Sequence, residues 1–347
     1  MNAPIESKKE STGWGWKGKL ATLLGKYGSL TTDQRKAASH KTHNTRAQVL
    51  YASFRELRGL GYRLDEPANL KPKHLQALVN LWEKDEQSPS TIQNKISVFR
   101  VFAGWIGKAG MIRDAESYVQ TPGAATRTYV ATEPKGWTAN AVSTEIIQQV
   151  EKFDARVGMQ LMLCLEYGLR VKETIEFKPH RVDKGDYMIV TDGTKGGRAR
   201  AVPLDTDEKR QLLEQCKKLV GHAKNAFLGD PAHSLLQNKN RFYYVMKKFG
   251  ITRLQLGVTA HGLRHEYVNG RYEELAGDKS PVEGGILARD NPELDYSVRT
   301  IIAEEVGHTR PSIVGCYSGS RRTVKIKNGR DATARDGNNY RVIICHR

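Results

Sequence analysis

Apolar residues recur at helical spacing through much of the chain. Between Thr45 and Ile106 they return every three or four positions in three successive blocks, which is typical of the buried faces of amphipathic helices. The blocks are Val49, Phe54, Leu57 and Leu60, then Leu70, Leu75, Leu78 and Leu81, then Ile92, Ile96, Phe99, Phe102 and Ile106. The cluster Ser88-Pro89-Ser90 before the third block is a helix-start signal. The pattern predicts a module made of helices.

The pattern changes after residue 138. Apolar positions about four residues apart predict two further helices between residues 142 and 169. Two short stretches, 187–191 and 199–203, flank a Gly-rich turn and predict an antiparallel hairpin. Helical spacing then returns over residues 207–317. The predicted fold class is therefore α+β and mainly helical, with a small antiparallel sheet in the second domain.

Segments without a period divide the chain into domains. Residues 1–40 are rich in Lys, Gly, Ser and Thr and predict a flexible basic arm, while residues 121–138 contain two prolines and predict a linker. Residues 41–120 then form a helical N-terminal domain and residues 139–320 a larger C-terminal domain. A basic tail, residues 321–347, follows.

Composition narrows the class of protein. The 347 residues carry 55 Lys and Arg against 38 Asp and Glu, a formal net charge of +17. Such a surplus attracts polyanions and makes nucleic acid the first candidate partner, although charge alone is equally compatible with an ordinary basic protein. The apolar content of 39% is too high for general disorder. No apolar run approaches the ~18 residues of a membrane helix, and no secretory signal is visible. We expect a cytoplasmic, nucleoid-associated protein without membrane contact.

Motifs for metal or nucleotide chemistry are missing from the sequence. It contains no HExxH, no GxSxG and no P-loop. Its cysteines are scattered without a CxxC pair, which argues against both a disulfide framework and a structural zinc; they are Cys164, Cys216, Cys316 and Cys345. His40 and His43 have no acidic or cysteine companion and are interpreted as solvated. We expect neither a metal nor a cofactor.

The residues that stand out are basic and lie where a buried element gives way to a turn. In chain order they are Arg170, Lys195, His261, Arg264 and His308, and Tyr317 follows. Glu173, three positions after Arg170, can hold its guanidinium. His261 and Arg264 share one face of a helix that Thr259 can cap. Each residue alone is compatible with an ordinary surface or core role, but the ordered set is not easily explained that way.

This ordered set resembles the tyrosine recombinase, or phage integrase, family. The resemblance covers roughly residues 45–318, because the helical module also looks like the core-binding domain of that family. It implies that residues 41–120 are a core-binding domain that contacts DNA, with Lys95 and Arg100 on its third helix. It also implies that residues 139–320 are the catalytic domain and that the two domains clamp duplex DNA.

The resemblance further implies site-specific DNA strand exchange through a 3′-phosphotyrosyl link. In that chemistry Tyr317 is the nucleophile, because a phenolate both attacks phosphorus and leaves again in the reverse step. Arg170 and Arg264 hold the non-bridging phosphate oxygens, since two permanently charged guanidiniums can do so without a metal.

The resemblance also implies which residues transfer protons and which hold the catalytic groups in place. Lys195 protonates the departing 5′ oxygen, His261 accepts the phenol proton, and His308 hydrogen-bonds a phosphoryl oxygen. Glu173 and His265 are expected to support these groups. The implied partner is double-stranded DNA, and because recombination cuts four strands, the implied assembly is a homo-oligomer on DNA, a tetramer.

Two other functions stay open from the sequence. A type IB topoisomerase uses a similar site but works as a monomer, and a DNA-binding regulator needs no working site. The chain also departs from the compact family pattern at residues 277–297, rich in Gly, Pro and Asp, which we expect to be a loop that contacts DNA or regulates. Tyr296 in this segment is rejected as nucleophile because it precedes His308.

Overall fold

A computed structural model describes residues 15–31 and 37–323. The chain divides into two compact units, Met1–Thr128 and Tyr129–Arg347, and this division falls inside the segment expected to be a linker. The first residues of the expected arm and most of the expected basic tail, including Cys345, lie outside the described residues.

The N-terminal unit is helical where it is described. The three predicted helices are confirmed, and the third of them begins after Ser88, whose hydroxyl accepts a hydrogen bond from the Thr91 amide at 3.3 Å. Phe54 and Phe102 pack edge to face with ring centroids 5.7 Å apart in the centre of the core. The helices are α1 (Gly15–Tyr27), α2 (His40–Gly59), α3 (Pro72–Lys84) and α4 (Pro89–Trp105).

Helix α1 corrects the expectation of a flexible arm up to residue 40. Trp16, Leu20 and Leu24 recur every four residues along α1 and are buried in the same core as Phe54. The rings of Trp16 and Phe54 stack with centroids 6.0 Å apart. These three apolar residues have helical spacing in the sequence, but the Gly and Lys residues between them weaken the pattern, so it does not by itself predict a helix.

Leu20→Ala should lower the free energy of unfolding of the N-terminal unit by about 2–5 kcal/mol, because a fully buried leucine leaves a cavity when truncated. Denaturant titration followed by tryptophan fluorescence measures this. Thr22→Ala, on the exposed face of the same helix, is the matched control. A loss no larger than that of Thr22→Ala would show that α1 does not belong to the folded core.

Up to residue 323, the C-terminal unit combines helices with one hairpin. The predicted hairpin is confirmed: β1 (Tyr187–Val190) and β2 (Arg200–Pro203) pair antiparallel, with Tyr187 opposite Pro203. The helices are α5 (Ile146–Phe153), α6 (Ala155–Glu166), α7 (Val171–Ile175), α8 (Pro179–Val182), α9 (Asp207–Val220), α10 (Leu235–Lys248), α11 (Ala260–Ala276), α12 (Leu287–Asp290), α13 (Pro292–Glu305) and α14 (Gly315–Ser318). Short 3-10 turns lie in this unit at Thr138–Asn140, Lys195–Gly197, Pro281–Glu283 and Pro311–Val314, and in the N-terminal unit at Pro67–Asn69 and Ala115–Ser117.

Three helices of this unit meet in one apolar cluster. Tyr267 and Val268 of α11 pack with Ile302 of α13, Val306 at its end, and Tyr317 of α14. The cluster therefore brings the end of α13 and the short helix α14 against α11. No helix in the described ranges is both long enough and apolar enough to cross a membrane.

The segment 277–297 is mostly ordered into helices rather than a loop, which corrects the expectation. Asp278 Oδ2 accepts from the Ile286 and Leu287 amides at 2.8 and 2.9 Å and so satisfies the start of α12, and α13 starts with Pro292 at its first position. Asn291 caps α13 by accepting from the Leu294 amide at 3.1 Å.

Candidate active site

Arg170 is fixed by the turn between α6 and α7. Gly168 makes this turn with φ +59°, and a Cβ there would lie 2.4 Å from the Tyr267 ring. Arg170 then donates to Glu173 twice, from its amide at 2.8 Å and from Nη1 at 2.7 Å. Glu173 is fully buried, whereas 24% of the Arg170 side chain stays exposed. The guanidinium is held rigidly and remains accessible.

Arg264 joins three elements in the interior. It lies in the first turns of α11 and is fully buried. Its Nε donates to Tyr317 Oη at 3.0 Å, Nη1 donates to the Gly168 carbonyl, and Nη2 donates to the Val306 carbonyl at 2.5 Å. Arg170 Nη2 also donates to this Val306 carbonyl, at 3.3 Å. One carbonyl at the C-terminal end of α13, where a helix favours positive charge, therefore connects the two arginines.

Tyr317 lies in α14 with its hydroxyl inside this cluster. Besides the bond from Arg264, its Oη lies 3.3 Å from His308 Nε2. His308 follows Gly307, which ends α13 with φ +69°, as the sequence suggests for a helix end. Among the described side chains, His261 approaches the Tyr317 ring, with centroids 5.7 Å apart, but does not hydrogen-bond its hydroxyl.

His261 is the second residue of α11, and its expected cap differs in detail. Thr259 occupies the cap position, but its hydroxyl makes no capping bond. The Thr259 carbonyl instead accepts a hydrogen bond from the Trp137 indole at 2.8 Å. The start of α11 is therefore fixed through the backbone and a buried tryptophan.

The histidines of the cluster are neutral near pH 7. Burial, followed by the charges of Arg264 and Arg170, lowers the pKa of His261 to about 4 and that of His308 to about 3. Burial, followed by His261, lowers the pKa of His265 to about 3. A neutral imidazole can accept a proton, so these groups can serve as bases but not as acids.

Lys195 lies on the 3-10 turn that joins β1 and β2. The next two residues, Gly196 and Gly197, have φ +74° and +72°, so the turn needs glycine at both. Lys195 is exposed. Burial and the charges of three arginines are the larger causes of the lowered pKa of His308, and the charge of Lys195 adds to them. The hairpin thus carries an accessible ammonium whose charge acts on His308.

Arg200 is a member of the cluster that sequence reasoning missed. It is buried, and its Nη2 donates to Glu173 Oε2 at 2.5 Å, so that Glu173 lies between Arg170 and Arg200. Its Nε and Nη1 have no hydrogen-bond partner, and burial lowers its pKa to about 9. The available signal was the period of two in β2, which places Arg200 on the same buried face as Val202.

Lys95 and Arg100, the two expected DNA contacts of α4, differ in how far their side chains are exposed. Lys95 lies over the Trp82 ring at 4.4 Å, with its Nζ 3.9 Å from Glu56 Oε1, and only 14% of its side chain is exposed. Burial lowers its pKa. Arg100 is exposed and donates to the Arg113 carbonyl at 3.0 Å. The structure gives Lys95 a packing role within the N-terminal unit and leaves Arg100 accessible.

Within residues 15–31 and 37–323, no group of three or more His, Cys, Asp or Glu side chains is arranged to hold a metal ion. Cys164 and Cys216 are free and buried, and Cys316 is free and partly buried.

Two protein-family models match the sequence. The model described as "Phage integrase, N-terminal" matches residues 28–112, and the model described as "Integrase" matches residues 125–270. Arg170, Lys195, His261 and Arg264 lie inside the second match, whereas His308 and Tyr317 follow it. No curated protein sequence matches the chain.

Solved structures share the fold. A lambda integrase dimer bound to a COC′ core site has a TM-score of 0.55 and 15% identity, and the match covers 91% of this chain and 79% of that one. A lambda integrase tetramer bound to a Holliday junction gives 0.58 and 16%, over 87% and 78%. The Tn1549 transposon integrase in complex with transposon right end DNA gives 0.56 and 15%, over 89% and 98%. With two family models spanning about two thirds of the sequence, the chain belongs to the phage integrase family, the tyrosine recombinases.

Proposed function

We propose that the protein is a site-specific DNA recombinase that cuts and rejoins DNA strands through a 3′-phosphotyrosyl link to Tyr317. The observation that carries this proposal is the 3.0 Å hydrogen bond from Arg264 Nε to Tyr317 Oη. It places a nucleophilic hydroxyl beside a guanidinium, the group that best recognises a phosphate. The formal charge of +17 supports DNA as the substrate.

In the proposed reaction the Tyr317 oxygen attacks the scissile phosphorus. The bond from phosphorus to the 5′ oxygen breaks, a 3′-phosphotyrosine forms, and the 5′ end leaves as a hydroxyl. Arg170 and Arg264 bind the non-bridging oxygens, whose charge increases in the transition state. Arg170 is the accessible member of the pair and meets the phosphate from the surface. Lys195 gives its proton to the 5′ oxygen.

The phenol proton needs an acceptor, and the distances favour His308. Its Nε2 is 3.3 Å from the Tyr317 hydroxyl, within reach for proton transfer. Burial and the neighbouring cations lower the pKa of His308, so its ring is neutral before the proton arrives, and a bound phosphate anion offsets those positive charges. His261, for which the family resemblance implied this role, is then free to hydrogen-bond a phosphoryl oxygen. We therefore propose that the two histidines exchange the roles expected from sequence.

Arg170→Lys should slow covalent attachment to DNA by about 100- to 1,000-fold, because an ammonium cannot bond Glu173 and grip a phosphate at two points together. Single-turnover attachment to a nicked duplex, followed on denaturing gels, measures the rate. Arg181→Lys is the matched control, since Arg181 is exposed on α8. Attachment by Arg170→Lys at the rate of the control would remove Arg170 from the phosphate site.

The proposed partner is duplex DNA and the proposed assembly is a tetramer on it. Reciprocal exchange between two duplexes breaks four strands, and each protomer has one Tyr317, so four protomers are needed. The lambda integrase tetramer on a Holliday junction, which shares this fold, is consistent with that count. Such an enzyme is expected to associate with the nucleoid in the cytoplasm.

Two assays separate this proposal from its alternatives. In the first assay, the protein selects a duplex from a random-sequence library. The selected duplex is then nicked beside the cut site, and this nicked duplex traps the covalent adduct. A plasmid carrying two copies of the selected sequence then reports recombination and relaxation together. Recombinant products support the proposal, relaxation without recombinants indicates a topoisomerase, and binding without any adduct indicates a regulator.

A further inference from the structure

Arg299 forms a polar network behind the nucleophile, away from the residues discussed so far. It lies on α13 and only 8% of its side chain is exposed. Its Nε donates to both carboxylate oxygens of Asp295, each at 2.8 Å, and its guanidinium packs against the Tyr272 ring at 5.6 Å. The Tyr272 hydroxyl donates to Asp295 Oδ1 at 2.6 Å. The guanidinium is thus oriented by an acid and an aromatic ring on α13 and α11.

The oriented guanidinium grips the chain immediately after Tyr317. Arg299 Nη1 donates to Ser318 Oγ at 3.1 Å and to the Gly319 carbonyl at 3.1 Å. Ser318 Oγ in turn donates to the Val314 carbonyl at 3.3 Å. Arg299 thus makes a charged hydrogen bond to each of residues 318 and 319. This contact therefore ties the short helix α14 to α13.

The same helix holds both halves of the proposed site. Arg299 and Val306 are seven residues apart, about two turns of α13. The carbonyl of Val306 binds the two phosphate-site arginines, and Arg299 binds the nucleophile segment. A helix of four residues has little stability of its own, so the position of Tyr317 depends on such tertiary contacts.

We propose that Arg299 is a positioning residue that sets the distance between Tyr317 and the scissile phosphate. This inference rests on the proposed function, because it presumes that Tyr317 attacks DNA. Arg299 does not touch the reacting atoms; it acts through Ser318 and Gly319. Because a misplacement of about 1 Å can cost about 100-fold in rate, loss of this contact should affect attack far more than DNA affinity.

The test compares Arg299→Met with Arg299→Lys and with a control. At saturating nicked duplex, Arg299→Met should form the adduct about 100-fold more slowly, with an unchanged dissociation constant for DNA. Arg299→Lys keeps the charge beside Asp295 but loses the planar two-sided grip, so its rate should fall between the two. Arg289→Met removes an exposed, ion-paired arginine from the neighbouring α12 and should behave as the unmodified protein.

A second measurement separates positioning from general destabilisation. Amide hydrogen exchange should accelerate in residues 314–319 of Arg299→Met and remain unchanged in the first turns of α11, away from Tyr272. If Arg299→Met fails to fold, Ser318→Ala decides instead: it keeps the pair with Asp295 and removes one acceptor, and it should slow attachment by about 10-fold. An unmodified rate in Ser318→Ala and Arg299→Lys, or a loss of DNA affinity as large as the loss of rate, would overturn the proposal.

Failure of the proposed function looks different. In that case the unmodified protein forms no adduct with the selected duplex, while hydrogen exchange still reports whether Arg299 fastens residues 314–319. Failure of the positioning proposal leaves the unmodified protein active and the Arg299 variants equally active.

Discussion

Tyr317→Phe should form no covalent adduct with DNA while binding it with nearly unchanged affinity. The substitution removes one oxygen, the only nucleophilic atom in the proposed reaction, and leaves the ring in its apolar cluster. The basic surface that attracts DNA is not altered. Denaturing gels of the nicked duplex measure the adduct, and a gel-shift titration measures affinity.

Tyr296→Phe is the matched control for this variant. Tyr296 belongs to the same unit but is 63% exposed on α13, and it should keep full activity. An adduct formed by Tyr317→Phe would mean that another residue attacks. Full loss of binding would mean that the hydroxyl holds the domain together rather than performing chemistry.

Lys195→Ala should cleave ordinary DNA about 100- to 10,000-fold more slowly, the usual contribution of a general acid. The same variant should cleave a substrate with sulfur in place of the bridging 5′ oxygen nearly as fast as the unmodified protein. The sulfur leaves as a thiolate, because a thiol has a pKa of about 8.5 and needs little help from an acid. Burst kinetics on the two substrates give the ratio of rates.

Two comparisons make the result specific to Lys195. Arg264→Ala should remain slow on both substrates, because Arg264 acts on the non-bridging oxygens. Lys184→Ala, at an exposed lysine before the same hairpin, should be normal on both. A Lys195→Ala defect of equal size on the two substrates would show that Lys195 positions DNA and that another group donates the proton.

The sequence predicted the assembly of the site better than its internal contacts. Arg170, Arg264 and Tyr317 lie far apart along the chain, and it is the resemblance of their ordered set to a known family that predicts that they lie together. Periodicity alone locates Arg170, which follows the apolar stripe of α6, but neither α11 nor the four-residue α14 has a comparable stripe. The hydrogen bond between Arg264 and Tyr317 shows the outcome.

Features that depend on distances between elements could not be obtained this way. Whether His261 or His308 reaches the Tyr317 hydroxyl is decided by how α11 and α13 pack, and no spacing encodes that. Arg200 contradicts the rule that a buried strand face is apolar, and only its partner Glu173 explains its burial. The sequence predicts Lys95 as a DNA contact because it does not reveal the Trp82 ring over which the ammonium lies.

The acceptor shared by Arg170 and Arg264 is the main-chain carbonyl of Val306, and this determines which mutations the site tolerates. Any side chain at position 306 offers the same oxygen, so replacement there is tolerated as far as packing allows. Adding one residue to α13 shifts its end by about 1.5 Å and turns it by about 100°, which moves that oxygen away from both guanidiniums. Insertions and deletions in α13 should therefore be selected against more strongly than substitutions on its exposed face.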